Sequence, residues 1–308
     1  MSEAPALRCR GLVKHYDEVV AVDGIDLEVR VGECFGLLGP NGAGKTTTVE
    51  ILEGLLEPTA GDVEVLGQRW SRDAADLRNR IGVTLQETQL PDKQTVLETL
   101  SLFRSFFRDG RDPAEVMDLV GLGEKRDAWV KKLSGGQKQR LSVACGLVGN
   151  PEVLFLDEPT TGLDPQSRRG IWEIVREFRN AGGSVLLTTH YMEEAERLCD
   201  RVAIVDHGKI IALDTPRRLV ASLGAEHVVE VTCRPAPDPA ALAAVAGVRG
   251  VHVTDDTARL SVDAIHRVLP GVLEALTARG IALEELRTHH ATLEDVFVAF
   301  TGRHLREG

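Results

Sequence analysis

The stretch of sequence that decides the fold is Gly39-Pro40-Asn41-Gly42-Ala43-Gly44-Lys45-Thr46. It matches the pattern G-x-x-x-x-G-K-[ST] in full, directly after the apolar run Cys34–Leu38 and before a helical run that starts near Thr46. A strand, a glycine-rich loop and a helix in this order surround phosphate oxygens with backbone N–H groups and a helix N-terminus. A glycine-rich turn that fits by chance is the alternative, and this setting disfavours it.

The polar side chains of this loop fit a nucleotide bound together with Mg²⁺. Lys45 would neutralise the β- and γ-phosphates, and the Thr46 hydroxyl would ligate the metal ion. Thr47 can add a further hydroxyl contact. The loop therefore predicts a site for a nucleoside triphosphate and magnesium.

A second apolar run, Val153–Leu156, ends in two carboxylates, Asp157 and Glu158. A buried strand with this ending would deliver both acids to the edge where open α/β sheets place their ligands. Asp157 would hold Mg²⁺, and Glu158 would orient or deprotonate the attacking water. A strand that ends in a solvated acidic turn would be the preferred interpretation of this segment alone, but the phosphate loop favours the catalytic one.

A third motif, Ser134-Gly135-Gly136-Gln137, precedes another helical run. A serine hydroxyl, two N–H groups without side chains and the positive end of a helix could form a second phosphate site. Ser134 could equally be an ordinary helix N-cap, and the motif alone does not decide between the two. One chain with two phosphate-binding ends would imply that they meet across a dimer.

Short β-rich runs alternate with helical stretches from Arg8 to about Asp214, which predicts an α/β domain with a mostly parallel sheet. The predicted strands include Cys34–Leu38, Ile81–Leu85, Val153–Leu156, Val185–Thr189 and Val202–Val205. Strand signals are missing from residues 91–150, where helices are predicted over Val96–Phe107, Ala114–Val120 and Gly136–Leu147. This stretch is therefore interpreted as a helical insertion in the α/β domain of residues 1–214.

Residues 215–308 are predicted to form a second, smaller α+β domain. The order of its elements is strand His227–Cys233, helix Pro239–Val245, strands Val248–Val253 and Ala258–Val262, helix Ala264–Arg279, strand Ile281–Thr288 and a last helix from Thr292. A β-α-β-β-α-β order is typical of the ferredoxin-like arrangement. Its role is either packing and dimer stabilisation, which its apolar core favours, or ligand sensing.

The composition of the 308 residues excludes several classes of function. A net charge of −11 disfavours nucleic acid as a ligand, because duplex binding depends on Lys and Arg that neutralise phosphates. Five scattered cysteines without a C-x-x-C pair indicate reduced structural thiols. No run is long and apolar enough to cross a bilayer, and the first residues do not resemble a secretory signal. We therefore expect a cytoplasmic protein that needs a partner for any membrane role.

Residues 7–214 resemble the nucleotide-binding domain of ABC transporters, because these motifs occur in that family's order. The resemblance implies that Tyr16 stacks on adenine, with packing as the alternative for this side chain. It also implies that Gln86 contacts the magnesium site, that Asp164 belongs to the D-loop and that His190 contacts the γ-phosphate. The resemblance further implies that the chain binds and hydrolyses ATP with Mg²⁺ as a homodimer, against a separately encoded permease on the cytoplasmic face of the membrane.

Within that family the string Glu158–Pro165 and the closing Thr292–Phe297 look most like the ATPases of ABC-2 type exporters, the daunorubicin-resistance group among them. An importer ATPase and a soluble ABC ATPase outside transport remain alternatives. A GTPase or a kinase is disfavoured, because neither would carry Ser134–Gln137 and the sequence has no Asn-Lys-x-Asp element. The sequence does not disclose the transported molecule.

The segment Thr95–Phe107 has more apolar side chains than one buried helix face needs. They are Leu97, Leu100, Leu102, Phe103, Phe106 and Phe107. An exposed remainder would form a patch that contacts the permease, whereas complete burial inside the helical insertion is the alternative.

Overall fold

The computed structural model describes residues 4–84 and 90–301. The chain divides into two compact units, Met1–Leu213 and Asp214–Gly308. Over these described residues the first unit contains two sheets and the second contains one, and each unit has its own apolar core.

The first unit alternates strands and helices along the chain. In order these are β1 Leu7–Tyr16, β2 Val19–Val29, β3 Cys34–Leu38, α1 Lys45–Leu52, β4 Ala60–Val65, α2 Trp70–Arg80, β5 Ile81–Thr84, α3 Val96–Arg104, α4 Pro113–Leu119, α5 Gly135–Leu147, β6 Val153–Asp157, α6 Pro165–Asn180, β7 Ser184–Thr189, α7 Met192–Leu198, β8 Arg201–Asp206 and β9 Lys209–Asp214. Two short 3₁₀ turns, Gly123–Lys125 and Val130–Lys132, lie between α4 and α5.

A six-stranded sheet in the order β5-β6-β7-β3-β8-β9 forms the centre of this unit. The pairs from β5 to β8 run parallel. Every residue of β3, β6 and β7 is buried, as expected of the central strands of a parallel sheet. The predicted α/β class with a mostly parallel sheet is therefore confirmed. Of the predicted strand Ile81–Leu85, Leu85 lies outside the described residues.

A second, antiparallel sheet in the order β2-β1-β4 packs on the first through a shared core. Leu12 and Ile25 come from the antiparallel sheet, Phe35 and Phe155 from the parallel one, and Ile51 from α1; all five are fully buried or nearly so. The core therefore fixes α1, and with it the phosphate loop, between the two sheets.

The predicted helical insertion lies between β5 and β6, where α3, α4 and α5 contact one another. The prediction that α3 extends to Phe107 is wrong, because the helix ends at Arg104. The N–H groups of Phe106 and Phe107 turn back to the carbonyls of Phe103 and Arg104, three residues earlier, so the chain tightens and leaves the helix.

The second unit contains the predicted ferredoxin-like order. Its elements are α8 Pro216–Ala221, β10 His227–Arg234, α9 Pro239–Ala243, β11 Val248–Thr254, β12 Thr257–Val262, α10 Ile265–Thr277, β13 Ala282–His290 and α11 Leu293–Thr301. Four antiparallel strands in the order β11-β12-β10-β13 give the sheet expected of β-α-β-β-α-β. The helix predicted over Pro239–Val245 ends at Ala243, two residues early. Val229, Leu260 and Val272 are fully buried in the core of this unit.

All five cysteines are buried and free, as predicted. Among residues 4–84 and 90–301, no helix is long and apolar enough to cross a membrane.

Candidate nucleotide site

The phosphate loop follows β3 and ends in α1, and close backbone contacts explain two of its glycines. Gly44 has φ +98°, and a Cβ at this position would collide with the carbonyl of Ala21 on β2. A Cβ on Gly39 would collide with the carbonyl of Val205 at the end of β8. A side chain at either position would therefore push the loop away from the sheets.

Lys45 is buried at the first position of α1. Its Nζ donates hydrogen bonds to the carbonyl oxygens of Gly39 at 2.8 Å and Pro40 at 3.0 Å, across the loop. Burial lowers the pKa of Lys45, and the charges of Glu158 and Asp157 oppose this effect. The loop therefore holds an amine whose proximity to two carboxylates favours its charged form.

Asp157 is the last residue of β6, where it pairs with Thr188 of β7, and Glu158 follows it. The Thr188 hydroxyl of β7 donates to the buried Asp157 carboxylate and accepts from the Glu158 N–H at 3.0 Å. Glu158 has φ +46°, the left-handed region that non-glycine residues seldom adopt. This backbone conformation turns the chain at the point where the catalytic carboxylate was predicted.

The Glu158 carboxylate lies against His190. Glu158 Oε2 is 3.2 Å from His190 Nδ1 and accepts from the Thr161 hydroxyl at 3.1 Å. The hydrogen bond from His190 is the largest cause that lowers the pKa of Glu158, and burial opposes it. The carboxylate therefore stays ionised at neutral pH and is able to accept a proton.

Four predicted residues thus meet at one edge of the sheet. Lys45, Asp157, Glu158 and His190 follow the adjacent strands β3, β6 and β7 at their carboxyl ends. Asn41, Gly42 and Thr46 of the loop are exposed at this edge, whereas Pro40 and Ala43 are buried and Thr47 is half-buried.

Ser134 is the N-cap of α5, so the capping role is present, while the second phosphate site stays a prediction. The Gln137 N–H donates to the Ser134 hydroxyl at 3.3 Å, and the Gln137 side-chain oxygen accepts from the Ser134 N–H at 3.0 Å. Gly135 has open space around it, but a Cβ on Gly136 would collide with the Ser167 hydroxyl of α6. Packing on α6 therefore explains Gly136 without a phosphate. Ser134 and Gly135 remain exposed.

Asp164 and Tyr16 make contacts within the chain that do not depend on a nucleotide. Asp164 is the N-cap of α6 and accepts from the N–H groups of Gln166 and Ser167, both at 3.0 Å. Tyr16 ends β1, is 42 % exposed and lies under the Lys14 ammonium, 5.1 Å from the ring centre. Gln86 lies outside the described residues.

Sequence reasoning missed two threonines that hold the acids in place. Thr188 bonds to both Asp157 and Glu158, and Thr161 bonds to Glu158. The only signal for them was their position, since Thr188 closely precedes His190 and Thr161 closely follows Glu158.

In this parallel sheet one strand leads into a glycine-rich loop that carries a lysine, and a nearby strand leads into the pair Asp157-Glu158. This arrangement defines a nucleoside triphosphatase of the phosphate-loop class.

The model of the family described as ABC transporter matches residues 22–161. Nod factor export ATP-binding protein I of Burkholderia orbicola is 41 % identical over 322 residues, which cover 100 % of both chains. Daunorubicin/doxorubicin resistance ATP-binding protein DrrA of Streptomyces peucetius is 40 % identical and covers 96 % of this chain and 92 % of its own.

Solved structures show the same relationship. A structure described as the ATP binding subunit of an ABC transporter has a TM-score of 0.65 and 27 % identity, covering 71 % of this chain and 93 % of its own. CbiO1 from Clostridium perfringens, part of the transporter complex CbiONQ, has a TM-score of 0.65 and 29 % identity, covering 71 % of this chain and 92 % of its own. The chain belongs to the ABC transporter family as an ATP-binding and ATP-hydrolysing subunit.

Proposed function

We propose that the chain hydrolyses Mg-ATP at the end of β3 and drives export through a separately encoded membrane permease. The contact between Glu158 and His190, beside the buried Lys45, carries the proposal for the chemistry. The direction of transport is supported by relatives of about 40 % identity that are named for the export of Nod factors and for daunorubicin resistance.

The oxygen donors beside the loop fit Mg²⁺, which prefers carboxylate, hydroxyl and water oxygens. Asp157 offers a buried carboxylate, and Thr46 offers an exposed hydroxyl in the first turn of α1. Gln86 is proposed as a further contact to the metal site. When bound, Mg²⁺ neutralises charge that develops on the β- and γ-phosphate oxygens.

The residues around the phosphates have separate roles in this proposal. The N–H groups of the loop and the Lys45 ammonium bind the phosphates, and Tyr16 stacks on the base. Glu158 accepts a proton from the attacking water, and His190 holds the carboxylate and contacts the γ-phosphate. An ionised Glu158 fits this role, because only the unprotonated form is a base.

A dimer supplies the remaining contacts. Ser134 and Gly135 are exposed at the N-terminus of α5, where the helix dipole favours an anion. We propose that this helix end closes over the nucleotide of a second copy. Gln137 of the same motif and Asp164 of the D-loop would contribute to the contact. The pair would lie against its permease on the cytoplasmic face of the membrane.

The test is Glu158→Gln, which keeps the shape of the side chain and removes its basicity. ATP should bind with wild-type affinity in the presence of Mg²⁺, while kcat falls by at least about a hundredfold, as expected for the loss of a general base. Lys45→Ala is the matched control and should weaken binding itself, because it removes the charge that faces the phosphates. Turnover at the wild-type rate in Glu158→Gln would contradict the proposed role of this carboxylate.

A further inference from the structure

Glu194 is a fully buried carboxylate in the first turn of α7. The indole Nε1 of Trp172, on α6, donates a hydrogen bond to Glu194 Oε1 at 2.9 Å. A carboxylate in the interior is costly unless its partners compensate for the lost water. An apolar side chain at this position would cost less free energy of desolvation, so packing alone does not account for a carboxylate here.

Two threonine hydroxyls lie around this carboxylate. Burial raises the pKa of Glu194, whereas the Thr189 hydroxyl, the Trp172 indole and the Thr160 hydroxyl lower it, in that order. Among the described residues, Glu194 Oε2 and Thr160 Oγ1 have no hydrogen bond of normal geometry. Burial outweighs these partners, so the pKa of Glu194 is raised overall. The backbone N–H of Glu194 also donates to the Tyr191 carbonyl at 3.1 Å, next to His190 in the chain.

These two threonines flank the proposed catalytic pair. Thr160 comes two residues after Glu158, and Thr189 immediately precedes His190. The Thr189 hydroxyl also accepts from the Tyr191 N–H at 2.9 Å, which fixes the chain on the other side of His190. One buried carboxylate therefore adjoins both segments that must hold Glu158 and His190 3.2 Å apart.

A second contact joins α6 to the same segment. The Arg168 guanidinium lies over the Tyr191 ring, 4.3 Å from its centre. The Tyr191 ring in turn packs against the His190 ring, with 4.1 Å between the ring centres. Because α6 contacts Glu194 through Trp172 and Tyr191 through Arg168, it fixes the start of α7 at two points.

We propose that Glu194 is a positioning residue, anchored by Trp172, that sets the geometry between Glu158 and His190. It acts through the segments of Thr160 and Thr189 and does not touch the nucleotide. The proposal rests on the catalytic roles given above to Glu158 and His190.

The direct test compares Glu194→Ala with Glu194→Gln in the full chain. Glu194→Ala should lower kcat by about ten- to a hundredfold, because small misplacements of catalytic groups have effects of this size. The Kd for ATP should stay within about threefold of wild type, since the phosphate loop is intact. Glu194→Gln keeps an oxygen that accepts from Trp172 and should restore most of kcat. If the glutamine variant is as slow as the alanine variant, the anchoring role is wrong.

Leu198→Ala is the matched control for loss of packing, because Leu198 is buried in the same helix. It should lower Tm without the selective loss of kcat. The proposal is overturned if Glu194→Ala keeps the wild-type kcat, or if Leu198→Ala, at a comparable Tm, slows turnover as much.

A double-mutant cycle tests the route of the effect. In a His190→Ala background, Glu194→Ala should lower kcat by less than about twofold further, because the Glu158–His190 contact whose geometry it sets is already absent. Full additivity would overturn the proposal. Turnover at the wild-type rate in Glu158→Gln would instead overturn the catalytic assignment, so the two failures are distinguishable.

Discussion

Glu53 lies at the C-terminal end of α1, where both the helix dipole and burial disfavour a negative charge. The residue is 4 % exposed, and among residues 4–84 and 90–301 neither carboxylate oxygen has a hydrogen-bond partner. Burial is the largest cause that raises the pKa of Glu53 to about 8, followed by the charges of Asp157 and Glu50. The carboxyl group is therefore largely protonated in the folded protein at neutral pH.

This pKa makes the stability of the first unit depend on pH. The pKa of Glu53 is higher in the folded than in the unfolded chain. Its contribution to the free energy of unfolding is therefore most favourable below pH 4.5, and this contribution is lost as the pH rises to about 8. Glu53→Gln is always neutral. Its Tm should therefore exceed that of wild type by about 2–6 °C at pH 8, and by much less at pH 5.

The matched control is Glu57→Gln, which changes an exposed carboxylate four residues away. It should leave Tm nearly unchanged at both pH values, because an exposed group keeps its water. An equal Tm gain for Glu53→Gln at pH 5 and pH 8 would show that the effect is not one of ionisation.

The sequence predicted Lys45, Asp157, Glu158 and His190 because each follows an apolar strand, and the carboxyl ends of parallel strands meet at one edge. It did not predict which side chains would hold them. Asp157 and Thr188 are 31 residues apart, and Trp172 and Glu194 are 22 apart. Such pairs are brought together only by the packing of separate elements, and no spacing in the sequence marks them.

The apolar residues of α3 and the turn after it divide between the interior and the surface. Leu100 is fully buried, whereas Leu102 is 41 % and Phe106 67 % exposed. Phe103 packs edge-on against Phe106, with 6.0 Å between the ring centres. The alternative that the whole segment packs inside the insertion is therefore wrong, and an apolar surface remains for a partner.

We expect this surface to contact the permease. Leu102→Cys and Phe106→Cys should form crosslinks to a co-expressed permease in membranes, because an exposed apolar pair in one place is typical of an interface. Val31→Cys, at another exposed apolar position, is the control and should form none. The five native cysteines are buried and should add little background. Equal crosslinking from Val31→Cys, or none from Leu102→Cys and Phe106→Cys, would contradict this assignment.

Buried strands are easier to predict from the sequence than the ends of helices. Buried parallel strands are recognisable because both of their faces are apolar, and β3, β6 and β7 were placed nearly to the residue. The end of α3 was misplaced because Phe106 and Phe107 continue an apolar pattern after the helix has stopped. The last turn depends on backbone hydrogen bonds that side-chain patterns do not encode.

The described part of the first unit, residues 4–84 and 90–213, combines a complete phosphate loop with an exposed helix end at Ser134. If the end at Ser134 closes over the nucleotide of a partner, ATP should hold two copies together whenever hydrolysis is blocked. Glu158→Gln with Mg-ATP should therefore elute as a dimer in size-exclusion chromatography with light scattering.

The cap at Ser134 allows a selective test of this dimer. Ser134→Asp keeps a good N-cap but brings a negative charge to the position proposed for the γ-phosphate, so in the Glu158→Gln background it should abolish the ATP-dependent dimer. Ser134→Thr keeps both the cap and the hydroxyl and should retain the dimer. Because the second unit has its own core and could dimerise by itself, the comparison should be repeated on residues 1–214. If that shorter Glu158→Gln chain binds ATP tightly and stays monomeric at saturating nucleotide, the shared site is wrong.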